Sequence, residues 1–556
     1  MISYSLVGSF IYFLDVRLAL VLSIFLFGDV FFFSYGNEFS QLGKNICELL
    51  EETFLQNLYF CGEQEKDIMQ LPDSFADYTR ALLGEEEYNR LSAALLEGEQ
   101  PVSIRLNPQK CGRSPLSIVR SPLKEVPWAT DACYLDRRLT FTFDPLFHAG
   151  CYYVQEASSM FVEQAVKACF PDRPLAVLDL CAAPGGKSTH LRSLLPEGSL
   201  LVANEVMRNR VQILAENLTK WGHPDVVVTN SDPAEFTPLE QLFDCILTDV
   251  PCSGEGMFRK DETAIGEWSP ENVDLCWQRQ RRILQDIWPC LKPGGLLVYS
   301  TCTYNTKENE ENVRWIRDEL GVEVLPLDVP AEWGITGNLL AGEDFPVYRF
   351  LPHKTQGEGF FLAVLRKAGN AEDADGMQVM QAERMNAGRS KGRKGSGGKA
   401  SASSAFGKEQ QTTVQGWLRG AERYAMVPDG QMLAAFPTAW LPVLSSLKQH
   451  VRVVQAGVTL AEAKGKDCIP AHALAMSSLL RREAFACEEV DYPTAIAYLR
   501  KEAVTLSGAA SRGFVLLTYR DFPLGFVKNV GNRANNLYPQ EWRIRSGYLP
   551  EEIRVL

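Results

Sequence analysis

Between residues 151 and 367 the chain alternates short apolar runs with longer amphipathic stretches. The runs lie at 176–180, 200–203, 226–229, 245–247, 296–299 and 360–365. Each is too short for a helix and almost wholly apolar, which predicts strands covered on both faces. Strand and helix in alternation predict an α/β domain with a doubly wound, mostly parallel sheet. Upstream, residues 73–98 read as one helix with Leu82, Leu83, Tyr88, Leu91 and Leu95 on one face. A mixed segment follows to about residue 150. The pattern breaks at 369–411, where Gly, Ser and basic residues such as Arg389, Lys391, Arg393 and Lys394 predict a flexible linker. A second globular part is expected from 412. In its last stretch, strands over 513–519 and 524–528 flank a turn at Asp521, Phe522 and Pro523. No internal repeat is evident.

At 556 residues the chain exceeds one core, and about three domains are expected. The net charge of −13 argues against a uniformly basic, nucleic-acid-coating surface, but it leaves a local groove open. Between Arg512 and Arg545 basic residues in fact outnumber acids. Fourteen cysteines carry no paired zinc-type spacing, so free thiols in a reducing, cytoplasmic compartment are expected. Residues 18–35 form a Phe-rich apolar run, with Asp15, Arg17 and Asp29 breaking the longer stretch. No positive segment precedes it, which argues against a cleaved signal peptide. Residues 1–68 are expected to be an apolar upstream extension from a misplaced start, with Met69 opening the natural protein. The rival reading is a membrane anchor over 18–35.

Three motifs carry chemistry. The first runs from Leu178 to Ser188 as LDLCAAPGGKS, a buried strand followed by a tight turn that opens a helix. Small residues let a ligand approach the backbone, and a helix start presents free N–H groups. The turn is not a phosphate loop, because Cys181 stands where that motif needs glycine. Glu205, at the end of the next strand, is placed to bind ribose hydroxyls, and Asp232, after the third, to reach an adenine edge. Either acid alone is as readily a solvated loop carboxylate. Both at strand ends after such a loop point to a methyl-donor site.

The other two motifs present thiols. Cys252 lies in TDVPCSG from Thr248, and Cys302 in YSTCT from Tyr299. Carbon 5 of cytosine is a poor nucleophile until a thiolate adds to carbon 6; cysteine suits this because its thiolate attacks and leaves readily. Asp249 stands where it can stabilise charge at ring nitrogen 3. An isolated cysteine is more often a small space-filling residue, as expected for Cys169, Cys276 and Cys290. The motifs around Cys252 and Cys302 reverse that expectation.

These residues resemble the NOL1/NOP2/Sun family of RNA 5-methylcytosine methyltransferases. The matches are LDLCAAPGGKSTHL from Leu178, TDVPCSGEGMFRKD from Thr248 and YSTCTYNTKENEENV from Tyr299, with SIRLNP from Ser103 and YYVQEASSM from Tyr152. The resemblance covers about residues 69–367 and implies a Rossmann-like core that uses S-adenosyl-L-methionine. It implies that Cys302 is the nucleophile on carbon 6, that Cys252 assists product release, and that Asp249 contacts the base. It implies a cofactor site of Cys181, Ala182, Ala183, Pro184, Gly185, Gly186, Lys187, Glu205, Asp232 and Asp249. DNA cytosine methyltransferases use the Pro-Cys cysteine as nucleophile, so the choice of Cys302 comes from the family and not from spacing.

The order of parts resembles the bacterial 16S rRNA branch that ends in a PUA-like module. That resemblance implies an N-terminal RNA-binding segment at 69–150, a methyltransferase domain at 151–368, an accessory domain at 412–485 and a PUA-like α+β domain at 486–556 that grips RNA. The expected function is methylation of carbon 5 of a cytosine in 16S rRNA of the small ribosomal subunit. A monomer working without metal or membrane is expected. The alternatives are the same chemistry on tRNA, or a non-catalytic ribosome-assembly factor that binds RNA.

Overall fold

The computed structural model describes residues 70–112, 123–369, 406–508, 510–547 and 553–556. The 1–68 extension and most of the expected linker lie outside the described residues.

The N-terminal part opens with two helices, α1 (Asp73–Leu83) and α2 (Glu85–Leu96), not the single helix expected over 73–98. Gly84 separates them with φ +84°, a conformation that side chains with a Cβ disfavour. Phe75 of α1 and Leu91 of α2 are both fully buried, while the acidic start of α2 is exposed. Strands β1 (Val102–Leu106), β2 (Ala132–Leu135) and β3 (Tyr152–Val154) form a small antiparallel sheet with β1 in the centre.

The central domain contains β4 (Ala176–Asp179), β5 (Leu200–Asn204), β6 (Val226–Thr229), β7 (Phe243–Asp249) and β8 (Leu291–Thr301), all parallel, in the order β8-β7-β4-β5-β6. Beyond β8 the sheet turns antiparallel through β11 (Phe360–Lys367), which also pairs β9 (Val322–Leu325) and β10 (Tyr348–Phe350). Helices cover both faces, as the unbroken apolar strands predicted. One face packs Val177, Leu201 and Val228 under α3 (Val162–Cys169), α4 (Gly186–Leu194) and α5 (Arg208–Trp221). The other packs Leu178, Val202 and Ile246 under α6 (Pro270–Ile287) and α7 (Glu310–Leu320). Ser269 caps α6 by accepting from the Asn272 N–H at 3.1 Å, and Pro270 fits the first turn, where its missing N–H costs nothing.

The C-terminal part starts earlier than expected: helix α8 (Lys408–Gln415) begins inside the stretch read as linker. Strands β12 (Tyr424–Asp429) and β13 (Met432–Pro437) lead into helix α9 (Leu441–His450). Leu444 and Leu447 of α9, with Phe436 and Val451, pack into the same core as Leu200 and Val227 of the central sheet. The next strand, β14 (Val453–Ala456), pairs antiparallel with β6 and becomes the edge of the central sheet. The chain then leaves at Gly457, where φ is +65° and a Cβ would stand 2.0 Å from the Ala435 carbonyl oxygen. Only glycine fits so close to a neighbouring backbone. Strands β15 (Val458–Lys464) and β16 (Asp467–Pro470) complete a sheet with β12 and β13.

The final module carries β17 (Ala486–Glu489), β18 (Gly513–Tyr519), β19 (Phe522–Asn529) and β20 (Ala534–Asn536), joined in that order. The turn between β18 and β19 is formed by Arg520 and Asp521, both with positive φ, and Phe522 and Pro523, expected in the turn, already belong to β19. This module packs on the N-terminal part: Ile104, Leu146 and Tyr152 share a core with Tyr498, Val515 and Val527. Among the described residues no helix is long and apolar enough to cross a membrane, and no group of three or more His, Cys, Asp and Glu is gathered to hold a metal ion.

Candidate active site

The parallel strands end on one edge of the sheet, where loops carrying the three motifs converge. Crevices of this kind beyond the carboxyl ends of strands are where open α/β sheets bind ligands. β7 delivers Asp249 at its last position and Cys252 in the loop beyond. β8, bonded alongside in parallel, delivers Cys302 one residue past its end. The two sulfurs lie 3.2 Å apart. The loops are also tied by backbone, the Gly256 N–H donating to the Cys302 carbonyl at 2.8 Å. The hydrogen bond to Cys302 raises the Cys252 thiol well above its ordinary pKa, with burial and the negative charge of Glu308 adding to the effect. Cys252 is thereby held as a thiol.

Asp249 is bound on both oxygens. Ser300 Oγ donates to Oδ1 at 2.8 Å, and Lys187 Nζ donates to Oδ2 at 2.8 Å. Burial works against the Lys187 ammonium, but the Asp249 carboxylate outweighs it and the net shift is upward. Lys187 therefore stays charged, joining the first motif to the second.

The first motif forms as predicted in its essentials. β4 ends at Asp179, one residue before the expected Leu180, and α4 opens at Gly186. The Ala182 N–H donates to the Asn204 carbonyl at 2.8 Å, which fixes the loop against the end of β5. Desolvation, then the charges of Asp179, Asp249 and Glu205, push the half-buried Cys181 thiol far up, so it stays neutral and is no nucleophile. Asp179 is fully buried; Ser188 Oγ donates to it at 2.6 Å. Glu205 lies beside the loop, accepts from the Met207 N–H at 2.8 Å and pairs with Arg210 at 3.2 Å. Val206 and Met207, 51% and 52% exposed, place apolar surface beside that acid. Asp232 stands three residues past the end of β6. Its carboxylate accepts from the Ala234 N–H to start the short helix Pro233–Phe236, and it pairs with Arg282 at 3.3 Å.

The residues present fit an S-adenosylmethionine-type ligand. A tight loop with a helix start would take its charged end, a strand-end acid its hydroxyls, and the Val206–Met207 surface its base.

Sequence reading missed what holds the thiols in place. Glu255 is buried and accepts from the N–H groups of Tyr304 at 2.6 Å and Asn305 at 3.0 Å, and from Trp268 Nε1 at 3.1 Å. Glu308 accepts from the Ser253 N–H at 3.0 Å, from Gln280 Nε2 at 2.7 Å and from Asn305 Nδ2 at 2.8 Å. Each acid thus spans both cysteine loops. Burial, with the charge of Glu255 second, pushes the Glu308 carboxyl up to about 7. The N-terminal part braces the same loops: Thr306 donates its N–H to the Tyr78 hydroxyl at 2.7 Å, and Phe75 packs edge-on against Phe258 and Trp268. Both acids stood inside the motifs that revealed the thiols. Their spacing carried no signal of a shared network, because their partners come from separate elements.

Comparison with known proteins adds an independent line. Three family models match: the N-terminal domain of 16S rRNA methyltransferase RsmF over residues 71–157, 16S rRNA methyltransferase RsmB/F over 170–366, and the methyltransferase RsmF PUA domain over 486–544. The chain is 33% identical over 464 residues to the ribosomal RNA small subunit methyltransferase F of Klebsiella pneumoniae (strain 342), covering 80% of this chain and 91% of that protein. It is 32% identical over 501 residues to the protein of the same name from Salmonella arizonae, covering 86% and 97%. Among solved structures, a methyltransferase homolog protein from Pyrococcus horikoshii is 31% identical with a TM-score of 0.46, covering 54% of this chain and 96% of that one.

Proposed function

The chain belongs to the ribosomal RNA small subunit methyltransferase F family, and on that premise we propose that it methylates carbon 5 of a cytosine in 16S rRNA through a covalent adduct with Cys302. S-adenosyl-L-methionine would be held by the 181–187 loop, Glu205, Asp232 and Asp249, and would supply an electrophilic methyl group, leaving as S-adenosylhomocysteine. The target base must leave its stack to reach thiols at a strand end.

In this reading the Cys302 thiolate adds to carbon 6 of the cytosine, and the electron pair displaced from the double bond makes carbon 5 nucleophilic. Asp249, held by Ser300 and Lys187, contacts the target base, and a proton shared between its carboxyl group and ring nitrogen 3 neutralises the negative charge that addition places there. After methylation the proton on carbon 5 must leave, and the bond from carbon 6 to Cys302 breaks as the double bond reforms. Cys252, in hydrogen-bond contact with Cys302, passes its thiol proton to the departing Cys302 sulfur and takes up the proton from carbon 5, ending as a thiol again. Glu255 and Glu308 act as positioning residues, fixing the separation of the two loops without touching the base. The C-terminal PUA-like module and the N-terminal segment, which share one core, grip the RNA. The protein works in the cytoplasm, as a monomer.

The observation that carries this reading is the pair of thiols at 3.2 Å, beside a carboxylate bound to a loop lysine. A merely RNA-binding assembly factor has no need of that arrangement. The test is a denaturing gel of the Cys252→Ala protein after incubation with S-adenosylmethionine and small ribosomal subunits. A shifted, nuclease-sensitive band that disappears when Cys302→Ala is added supports the roles and the substrate together. No band, with tRNA methylated by the unmutated protein, keeps the chemistry and removes the ribosomal substrate. If neither RNA is modified, the enzyme reading falls.

A further inference from the structure

The edge of the sheet on the Glu205 side of the crevice is covered by a part of the chain distant in sequence. β6 is the last parallel strand of the central sheet, and a parallel sheet commonly leaves such an edge with unpaired backbone groups. Here β14 covers it, with Val453 opposite Thr229, Gln455 opposite Val228 and Ala456 opposite Val227. The contact continues past the end of β6 into the turn that leads to Asp232. The Asn230 N–H donates to the Arg452 carbonyl at 2.9 Å, and the Arg452 N–H donates to Ser231 Oγ at 3.0 Å. These two bonds run in opposite directions and clip the turn from one side.

From the other side, the same turn is bonded to the donor residues. Asn230 Nδ2 donates to the Glu205 carbonyl at 2.7 Å and to that of Val206 at 3.0 Å. Buried Asn204 Nδ2 donates to the Leu180 carbonyl at 3.1 Å and the Ser231 carbonyl at 2.9 Å, while its Oδ1 accepts from Thr229 Oγ1 at 2.8 Å and from the Ser231 N–H at 3.1 Å. Asn204 thereby uses its whole carboxamide to join β4, β5 and β6 where the crevice lies. The line from Arg452 through Asn230 and Ser231 to Glu205 and the 181–187 loop has no gap.

We propose that the C-terminal part is a working wall of the methyl-donor site: β14, through the backbone of Arg452, fixes the Asn230–Ser231 turn, and that turn positions Glu205 and Val206 for the donor. This inference rests on the proposed use of S-adenosylmethionine. It gives the C-terminal part a role apart from gripping RNA, with Asn230 and Ser231 as positioning residues. Donor binding and β14 pairing are then linked, and linkage between two sites is reciprocal.

Two measurements on the full chain test it. Ser231→Ala removes the acceptor for the Arg452 N–H, and Asn230→Ala removes the tie to Glu205. Isothermal titration with S-adenosylmethionine should show the dissociation constant rising about threefold to tenfold in each, with Ser231→Thr restoring it and rRNA affinity unchanged within about twofold. A purely structural role would lower melting temperature and leave donor affinity alone. The second measurement uses the unmutated protein, so folding of a variant does not enter. Adding S-adenosylmethionine should slow amide exchange at 453–456 as well as at 181–187 and 205–207. Protection confined to the last two segments, or variant affinities equal to the original, overturns the inference. If the unmutated protein binds no S-adenosylmethionine, the proposed function falls first.

Discussion

Asp179→Asn should change how stability depends on pH. Asp179 is 0% exposed at the end of β4, and one of its oxygens has no hydrogen-bond partner among the described residues. Burial, with the charges of Asp249 and Glu205 adding, pushes its carboxyl from 3.8 up to about 7, while Ser188 and Lys187 pull the other way. The folded state therefore holds this proton more tightly than the unfolded chain does. Its contribution is fully present below about pH 4 and is lost as pH rises through about 7. A rise of this size corresponds to about 4 kcal/mol, since one unit is worth about 1.4 kcal/mol. Asparagine keeps the shape and never ionises. Urea unfolding of both proteins between pH 4 and pH 8, followed by tryptophan fluorescence, gives the two stability curves. The variant should gain on the original by roughly 4 kcal/mol across that range. Glu308 titrates in the same direction but is present in both proteins, so the difference isolates Asp179. A difference that stays constant with pH, or one that moves in favour of the original as pH rises, would refute the reasoning.

Leu447→Ala empties a fully buried site between α9 and the central sheet and should cost about 2–5 kcal/mol. Amide exchange should then quicken in β6 as well as in the C-terminal sheet; quickening in the C-terminal sheet alone would show two independent folding units. Tyr78→Phe leaves the Thr306 N–H without its acceptor, a loss of about 1–3 kcal/mol at the brace of the Cys302 loop. Single-turnover methylation should slow roughly tenfold with donor affinity unchanged, and an unchanged rate would remove Tyr78 from the brace. Glu205→Ala should weaken S-adenosylmethionine by about tenfold or more by titration calorimetry, while rRNA affinity holds. Equal donor affinity would take Glu205 out of the site.

The C-terminal part shows where local reading stops. Composition marked a linker and a separate globular piece, which invites deletion of 412–556 as a test of RNA binding. The structure makes that deletion uninformative. It would strip Phe436, Leu444 and Leu447 from beneath the central sheet and bare the edge of β6 together. β14 itself, Val453-Val454-Gln455-Ala456, has no sequence mark of its partner. Any short apolar strand pairs with any free edge that geometry presents.

The strands that carry Asp179, Glu205, Asp249 and Cys302 were legible because burial on both faces demands unbroken apolar runs, and that demand is written locally. The loop from Cys181 to Lys187 and the two cysteine loops were legible as strand-end turns, because small and turn-forming residues follow each apolar run within a few positions. Asp232 was legible as a strand-end acid, but its cap on Ala234 and its pairing with Arg282 were not. The same holds for Glu255 and Glu308, whose meaning lies in donors from α6 and from both cysteine loops. A sequence states what each short segment must be, through periodicity, turn chemistry and reactive side chains. Which segments meet is decided by packing and by the need of every buried polar group for a partner, and both are satisfied only across the whole fold.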